Sequence, residues 1–475
     1  MAEPVFELFT DVTVSTVASA DLRKGACRLD ATFHDPQSQA AERVLIDSGL
    51  QVEPLRNSSH VSCSTLRGRT FVSADKGVAL LGGHNLDTDD QSDVKYVSTL
   101  ITRNIVKEQL VNGDVLISSA GTVGLYDFVY RNHEGKLASQ HILRVRAKEG
   151  RVQPGYLYAY LSSPLALSMI TNQSAGSIIV TLYTENLSEL SLPRLSGRLE
   201  SLIHERIAQS FSCRSECREL LQESRSAVVE ANALALLPKE TEEEPECLEV
   251  PADVTATGEQ RLDAHFYNAA ANLAVANIET CGSEVKAVAD VAQVIFTGGR
   301  LKRNYVGSTH GVPFLSGKNI VQVRPTDLKY LSNLQMADLD ELILKRSYTL
   351  ITRSGTIGRT CFVWKNYEDY AASEDVLRVI PDESAIDPGY LYAFLSSRYG
   401  YEQILRYRHG SVIDHVTDTH IGHVLVPCPS WKKQTAVGDK IREAYEKRAE
   451  ALSLEDEAQA ILMKELTKAP GTKGT

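Results

Sequence analysis

The chain has 475 residues, 43% of them hydrophobic and 23% charged, ordinary proportions for a globular protein of roughly two to four domains. A net charge of −11 argues against a surface that is basic throughout, as non-specific nucleic-acid binders have. No apolar run approaches the ~18–20 residues of a membrane helix.

The first residues, MAEPVFELFTDV, carry acids and no basic stretch, so no signal peptide is expected there. Next, PGYLYAYLSS at 154–163 returns as PGYLYAFLSS at 388–397, 234 positions later. The same offset carries Gly121-Thr122-Val123-Gly124 onto Gly355-Thr356-Ile357-Gly358, Gly176-Ser177 onto Gly410-Ser411, and Pro193 onto Pro427. Arg28-Leu29-Asp30-Ala31 recurs as Arg261-Leu262-Asp263-Ala264, one residue out of phase. A period this long means a duplicated domain and not a solenoid repeat, and a duplicated domain suits a target that has two halves.

After each RLDA motif the spacing of alanines and aliphatics predicts a helix, over 37–48 and again over 268–280. Short β-type runs follow, such as 285–295. A basic turn comes next, Leu66-Arg67-Gly68-Arg69 in the first half and Gly299-Arg300-Leu301-Lys302-Arg303 in the second. GVALLGGHNL (77–86) is then matched by GVPFLSGKNI (311–320). Alternating strands are predicted at 114–118 and 348–352, each leading through a GT[VI]G turn to a partner strand. The PGYLYA segments open helices with proline at the first position; Asp387 is a fair N-cap and Gln153 a poorer one. Their tyrosines are read as one core-facing side. Each half closes on a short proline-ended strand, 190–193 and 424–427.

Beyond each body the period changes. Leu199, Leu202, Ile203, Ile207, Phe211, Leu220, Leu221, Val228 and Leu234 mark one long amphipathic helix. Val437, Ile441, Tyr445, Leu452, Ala458, Ile461, Leu462 and Leu466 mark a second. Two such stripes most simply pack together as an antiparallel coiled-coil spacer, roughly 50–60 Å long at 1.5 Å per residue. Between them, 238–250 holds six glutamates, one lysine and two prolines, the composition of a linker. The expected organisation is an α+β chain with two tandem pseudo-symmetric bodies. Residues 1–197 form the first body, 198–237 a helix, 238–256 an acidic linker, 257–430 the second body, 431–468 a helix, and 469–475 a disordered tail.

Eight cysteines, at 27, 63, 213, 217, 247, 281, 361 and 428, form no CxxC pair, and none recurs at the repeat offset. A shared disulfide framework or zinc site is therefore not expected, and Cys213 and Cys217 read as helix packing. The reading is a reduced, cytoplasmic protein.

The order of body, long helix, body, long helix resembles the specificity (S) subunit of Type I restriction-modification systems. The resemblance is carried by the two RLDA motifs, GVPFLSGKNI, the SAGTVG and SGTIG turns, PGYLYA[YF]LSS, and the proline-ended strands before the long helices. It implies two target-recognition domains, each reading one half of a bipartite double-stranded DNA target, and helices that set the gap. It also implies two methyltransferase subunits and a restriction or translocating subunit as partners, in a DNA-methylation-based defence against phage. The first copy departs from the second at Glu200, against Gln434, and at His84, against Lys318.

Under that reading the DNA contacts come from residue types that bond base edges or phosphates. They are Arg67, Arg69, His84, Asn85, Ser119, Thr122 and Gln173 in the first half. In the second they are Arg300, Lys302, Arg303, Lys318, Asn319, Arg353, Ser354, Thr356, Arg408 and His409. Each has a plainer alternative: GTxG is also a tight hairpin, the basic turns are also solvated loops, and asparagine also stabilises turns. Gly311–Lys318 fails as a phosphate-binding loop because five residues separate the glycines and Asn319 follows the lysine. No catalytic motif recurs, so no catalytic residue, metal or cofactor is expected. The rival reading is a scaffold subunit that gathers proteins without reading DNA.

Overall fold

A computed structural model describes residues 34–66, 68–88, 94–100, 102, 104–131, 133–173, 181–237, 249–252, 255, 260–295, 302–336 and 342–468. Arg28–Ala31, Arg67, Gly176-Ser177, Arg300, Cys27, Cys247, most of the acidic segment and the tail at 469–475 lie outside them. The described chain is α+β and divides into two compact units. The first holds residues up to 86, 94–209 and those from 454 on; the second holds the rest.

In unit 1, Val115–Ser118 is flanked by Tyr126–Phe128 and Ile142–Ala147, and the latter pairs with Ser59–Cys63, all antiparallel. A second sheet places Lys95–Ser98 between Phe71–Val72 and Gly77–Leu81, with Leu137–Ala138 joining in parallel. Gln51–Pro54 pairs with the proline-ended strand Ser191–Arg194. Unit 2 repeats this plan. Thr349–Thr352 lies between Thr360–Phe362 and Val376–Pro381, and Ala292–Ile295 pairs with the latter. Gly311–Leu315 lies between Lys329–Ser332 and Ala371–Ala372, and Glu284–Ala287 pairs with Leu425–Cys428.

The duplicated strands 115–118 and 349–352 do not alternate. All four residues of each are buried, because the sheet is covered on both faces. One cover is the PGYLYA helix, whose Tyr158 meets Tyr126 and Phe128 edge-on at 5.8 and 5.6 Å. That helix is buried all round, from Gly155 to Leu161 and from Gly389 to Leu395. Its tyrosines are therefore in the core without sharing one face. Buried hydroxyls need partners: Tyr156 donates to the Pro193 carbonyl at 2.6 Å and Tyr390 to that of Pro427 at 2.5 Å.

The run 285–295 is likewise not continuous. A helical turn, Val288–Val291, splits it where the Asp290 carboxylate accepts from the Ala287 amide at 2.9 Å. The helices before it begin at side-chain caps, Asp35 for Pro36–Asp47 and Asn268 for Ala269–Glu279.

The long helices span Gly197–Ala231 and Trp431–Leu466. Among the buried positions of the first, Ile203, Ile207, Ser210, Arg214, Cys217, Leu221, Ser224 and Val228 form one row spaced alternately by four and three, with Glu200, Phe211, Cys213 and Ser215 buried beside it. In the second, Gln434, Val437, Ile441, Ala444, Arg448, Ala451, Glu455, Ala458 and Leu462 form a row with the same alternation, with Tyr445 and Leu466 also buried. Rows with this spacing match the seam of a coiled coil. Within unit 2, Glu216 pairs with Lys447 at 2.8 Å and Glu223 with Lys440 at 2.6 Å. A step of one heptad up one helix is a step down the other, so the two run antiparallel. Within unit 1, Arg206 meets Glu457 at 3.1 Å. Each fully buried aliphatic in the seam contributes about 1.5–3 kcal/mol.

Arg214 and Arg448 occupy equivalent places in the repeat, and both lie in the seam. Arg214 pairs with buried Asp87 at 3.1 Å. Arg448 donates to the Gln322 carbonyl at 2.5 Å and to the Tyr367 hydroxyl at 3.2 Å. Among the described residues no helix is long and apolar enough to cross a membrane.

Candidate nucleic-acid interface

The basic turn, the glycine-asparagine turn and the GTxG turn are far apart in sequence, and in each unit one short loop ties them together. In unit 1 it is Ser139–His141: the Ser139 amide donates to the Leu81 carbonyl at 2.9 Å, and the His141 carbonyl accepts from the Ser119 amide at 2.8 Å. In unit 2 it is Ser373–Asp375, bonded to Leu315 at 2.8 Å and to Arg353 at 3.0 Å.

Onto this loop the basic turn lays one arginine. Arg69 donates to Gln140 Oε1 at 3.0 Å. Arg303 Nη2 donates to both carboxylate oxygens of Glu374 at 2.5 Å. Burial works against the charge of Arg303, but its bonds to Glu374 and Tyr305 outweigh that and hold its pKa above the usual arginine value.

Beside each arginine lies a lysine-aromatic pair that the sequence reading missed. Lys95 sits over the Phe71 ring at 5.3 Å, and Lys329 over the Tyr305 ring at 4.9 Å. Phe71 is 43% and Tyr305 42% exposed, so both rings face solvent although each sits on a sheet edge. Among the described residues, neither lysine has a carboxylate within ion-pair reach. The signal was in the sequence: KYVS at 95–98 and KYLS at 329–332 stand at the repeat offset.

Asn85 and Asn319 are buried, and their amides hold the turn. Asn85 Oδ1 accepts from the Gly82 amide at 2.7 Å, and Asn319 Oδ1 accepts from the Ser316 amide at 3.1 Å and hydroxyl at 2.6 Å. Their neighbours His84 and Lys318 are exposed, and Lys318 reaches Asp327 at 3.3 Å. The GTxG segments are hairpin turns with both glycines at positive φ, 76° and 89° in one copy and 72° and 80° in the other. The Ser118 hydroxyl donates to the Thr122 carbonyl at 2.5 Å, and Thr352 makes the same bond to Thr356. That leaves the side chains of Thr122 and Thr356 exposed at the tips.

The remaining candidates are placed as follows. Ser119 is buried. Ser354 donates to Asp375 at 3.1 Å, and Arg353 donates through Nε to the Val416 carbonyl at 3.2 Å. His409 is exposed and joins the group through His415, which forms bridges with both His409 and Ser354. Arg408 turns its guanidinium against the His265 ring, and Gln173 is half-buried, its carbonyl accepting from Asn186 at 3.4 Å. Lys302 is exposed beside Arg303. Arg261, from the second RLDA motif, donates to the Tyr407 and Arg408 carbonyls at 3.0 and 2.6 Å, so that motif braces the 407–408 turn.

In unit 2 the group borders a surface cavity of about 280 Å³, with Arg303, Tyr305, Lys318, Lys329, Ser373 and Asp375 on its walls. Among the described residues no cluster of His, Cys, Asp or Glu is placed to hold a metal ion. Burial pushes the Cys213 thiol up to about 11, the opposite of what a metal-binding thiolate needs.

No family model matches this sequence, and no curated protein does. Three solved structures are similar to it over most of its length. The Type I restriction-modification system S subunit from M. genitalium is 10% identical, with 88% of this chain and 95% of that chain covered, at a TM-score of 0.37. The HsdS subunit from Thermoanaerobacter tengcongensis is 14% identical, with 89% and 97% covered, at 0.28. A chain from a structure on complex assembly and conformational transition of the type I R-M system is 15% identical, with 88% and 97% covered, at 0.28.

Proposed function

We propose that this chain is a non-catalytic, sequence-specific DNA-binding specificity subunit of a Type I-like restriction-modification or methylation-based defence complex. Each unit reads one half of a bipartite double-stranded target. The long antiparallel helices set the gap and dock methyltransferase subunits on their outer faces. Base flipping and methyl transfer then belong to those partners, whose separate active sites meet the cost of extruding a base.

The observation that carries the reading is the duplicated surface group. An arginine on a polar loop residue, a lysine over an exposed aromatic ring and a cation or histidine beside a glycine turn recur at one offset in both units. Lysine and arginine anchor phosphates, and arginine beside polar side chains reads base edges. A solvated surface has no need to keep a solvent-facing aromatic under a lysine twice.

The scaffold reading draws on the net charge of −11 and on the carboxylates that face Arg303 and Lys318. The deciding measurement is a methylome of cells carrying the operon with and without this gene. Loss of methylation at a motif of two fixed parts around an unspecified gap supports the specificity role. Replacing residues 28–195 by another such domain should then alter one part only. Unchanged methylation, with no salt-dependent DNA affinity in the assembled complex, favours the scaffold.

A further inference from the structure

The duplicated group contains both constant and changed members, and the geometry points to a division of labour between them. Lys95 and Lys329 hold DNA phosphates, whereas Gln140-His141 in unit 1 and Glu374-Asp375 in unit 2 read base edges and make the two half-sites different. The inference rests on the specificity reading above and assigns its residues.

The constant members come first. A contact that is identical in both units cannot distinguish two sequences, but it can hold a backbone that is the same everywhere. The lysine-aromatic pairs fit that role. Each ring orients an ammonium that has no carboxylate within ion-pair reach among the described residues, so its charge is available to a phosphate.

The changed members lie next to them on the same loop. Gln140 and His141 are both exposed and can donate as well as accept. At the equivalent places unit 2 has two carboxylates, which accept only. The frame around the change is the same: each loop bonds the same two backbone positions, and an arginine lies on its first changed residue. Unlike the Gln140-His141 pair, Glu374 and Asp375 are partly buried, against Arg303 and Ser354; where the frame is kept and the side-chain chemistry switches from amphoteric to acceptor, the ligand has switched too. An arginine beside carboxylates suits an edge that offers an acceptor next to an exocyclic amine, as adenine and a G·C pair do in the major groove. Arg69 with Gln140 and His141 suits an edge read without any acid.

The cavity in unit 2 supplies an independent sign of a ligand. Ser373 lines it, is 3% exposed, and its hydroxyl has no hydrogen-bond partner. Buried hydroxyls are normally paired, and a polar base or phosphate group entering the cavity would complete this one.

The experiment uses the full chain assembled with its methyltransferase subunits, reading the methylated motif by single-molecule sequencing and DNA affinity against salt. Glu374→Gln with Asp375→His gives unit 2 the pair that unit 1 carries, and Gln140→Glu with His141→Asp does the reverse. Each exchange is expected to change base preference in one half of the motif only. Lys329→Ala is expected to keep the motif while lowering affinity, with the salt slope falling by about one. If the double exchange unfolds the chain, as a thermal melt would reveal, Glu374→Gln alone interrogates the same position with a near-isosteric side chain. An unchanged motif in variants that still bind DNA overturns the division while leaving the specificity reading intact. A wild-type complex without any sequence preference removes both.

Discussion

The backbone amide of Gly155 donates to Nδ1 of His204 at 3.0 Å. In the second copy the equivalent amide, Gly389, donates to the side chain of its own N-cap, Asp387, at 2.9 Å. The cap of the PGYLYA helix has thus moved from a residue in the preceding loop to a residue on the long helix. Gln153, at the place of Asp387, makes no cap bond, and Gly438, at the place of His204, leaves room for the Asp387 carboxylate. Arg442 and Gln434 hold that carboxylate and its backbone amide, whereas Glu200, where Gln434 would stand, pairs with Arg194.

His204 can accept that bond only when neutral, and burial lowers its pKa below the ordinary value. Its folded pKa therefore lies below its unfolded one. The unfolded chain takes up the proton first as pH falls, so stability is complete above about pH 6.5 and declines below it. Thermal melts at pH 7.5 and 5.5 should show a larger fall for the native chain than for His204→Gln, which keeps an acceptor and does not titrate. Equal falls would place the acid sensitivity elsewhere.

A Cβ on Gly389 would lie 2.7 Å from both the Cα and the carbonyl oxygen of Gly438, and neither backbone atom can rotate away. Gly389→Ala is expected to cost about 1–3 kcal/mol by forcing the buried helix off its neighbour. Gly355→Ala, at a hairpin tip with no heavy atom within 4 Å, meets only the strain of its positive φ and should cost less. Urea titrations of the two variants give the order directly.

Arg214 is 1% exposed and pairs with Asp87, itself 3% exposed. Removing the guanidinium in Arg214→Ala takes the ion-pair partner from a buried carboxylate that also accepts from the Arg324 amide at 3.0 Å, and a loss of about 3–5 kcal/mol is expected. Arg214→Met with Asp87→Leu, which replaces both charges by apolar groups, should recover part of it, since the Arg324 amide then loses its acceptor. A double variant as unstable as the single one would mean that the pair is not the source of the loss.

Cys63 is exposed, whereas Cys213, Cys217 and Cys361 are buried. Burial keeps Cys213 protonated at neutral pH. Brief alkylation of the folded chain followed by mass spectrometry should find Cys63 modified far ahead of those three. Rapid labelling of Cys213 would contradict the closed helix seam.

Much of this architecture was legible in the residues. The proline-ended strands, the Asp387 cap and the long helices follow from patterns that one segment displays alone, and the offset repeat from comparing one segment with another. The seam was only half legible, because hydrophobic periodicity does not count Ser210, Arg214, Ser224, Arg448 or Glu455, and these are the positions where polar groups are buried with partners. Strand burial was misread at 115–118 and 349–352 because serine and threonine there look solvent-facing until a covering helix is known. In the duplicated surface group, sequence pointed to Arg69, Arg303, His84 and Lys318 but not to Phe71 with Lys95 or Tyr305 with Lys329. Those partners come from separate strands, and only strand pairing brings them together. Asn85 and Asn319 show the converse: an amide suited to a base edge is equally suited to closing a turn, and its burial decides for the turn.

The last helix completes the unit made first. Gln459 donates to the Ala159 carbonyl at 2.7 Å and to the Ser162 hydroxyl at 3.0 Å, and Glu457 pairs with Arg206, all within unit 1. A ribosome working from the N-terminus therefore exposes most of unit 1 long before the residues that finish it are translated, whereas unit 2 is contiguous apart from a short segment at 87 and beyond. Domains made first usually fold first; here the earlier half gains its last contacts only once the later one has been made. A message cut short before residue 454 leaves that half without the Glu457 and Gln459 contacts that close it.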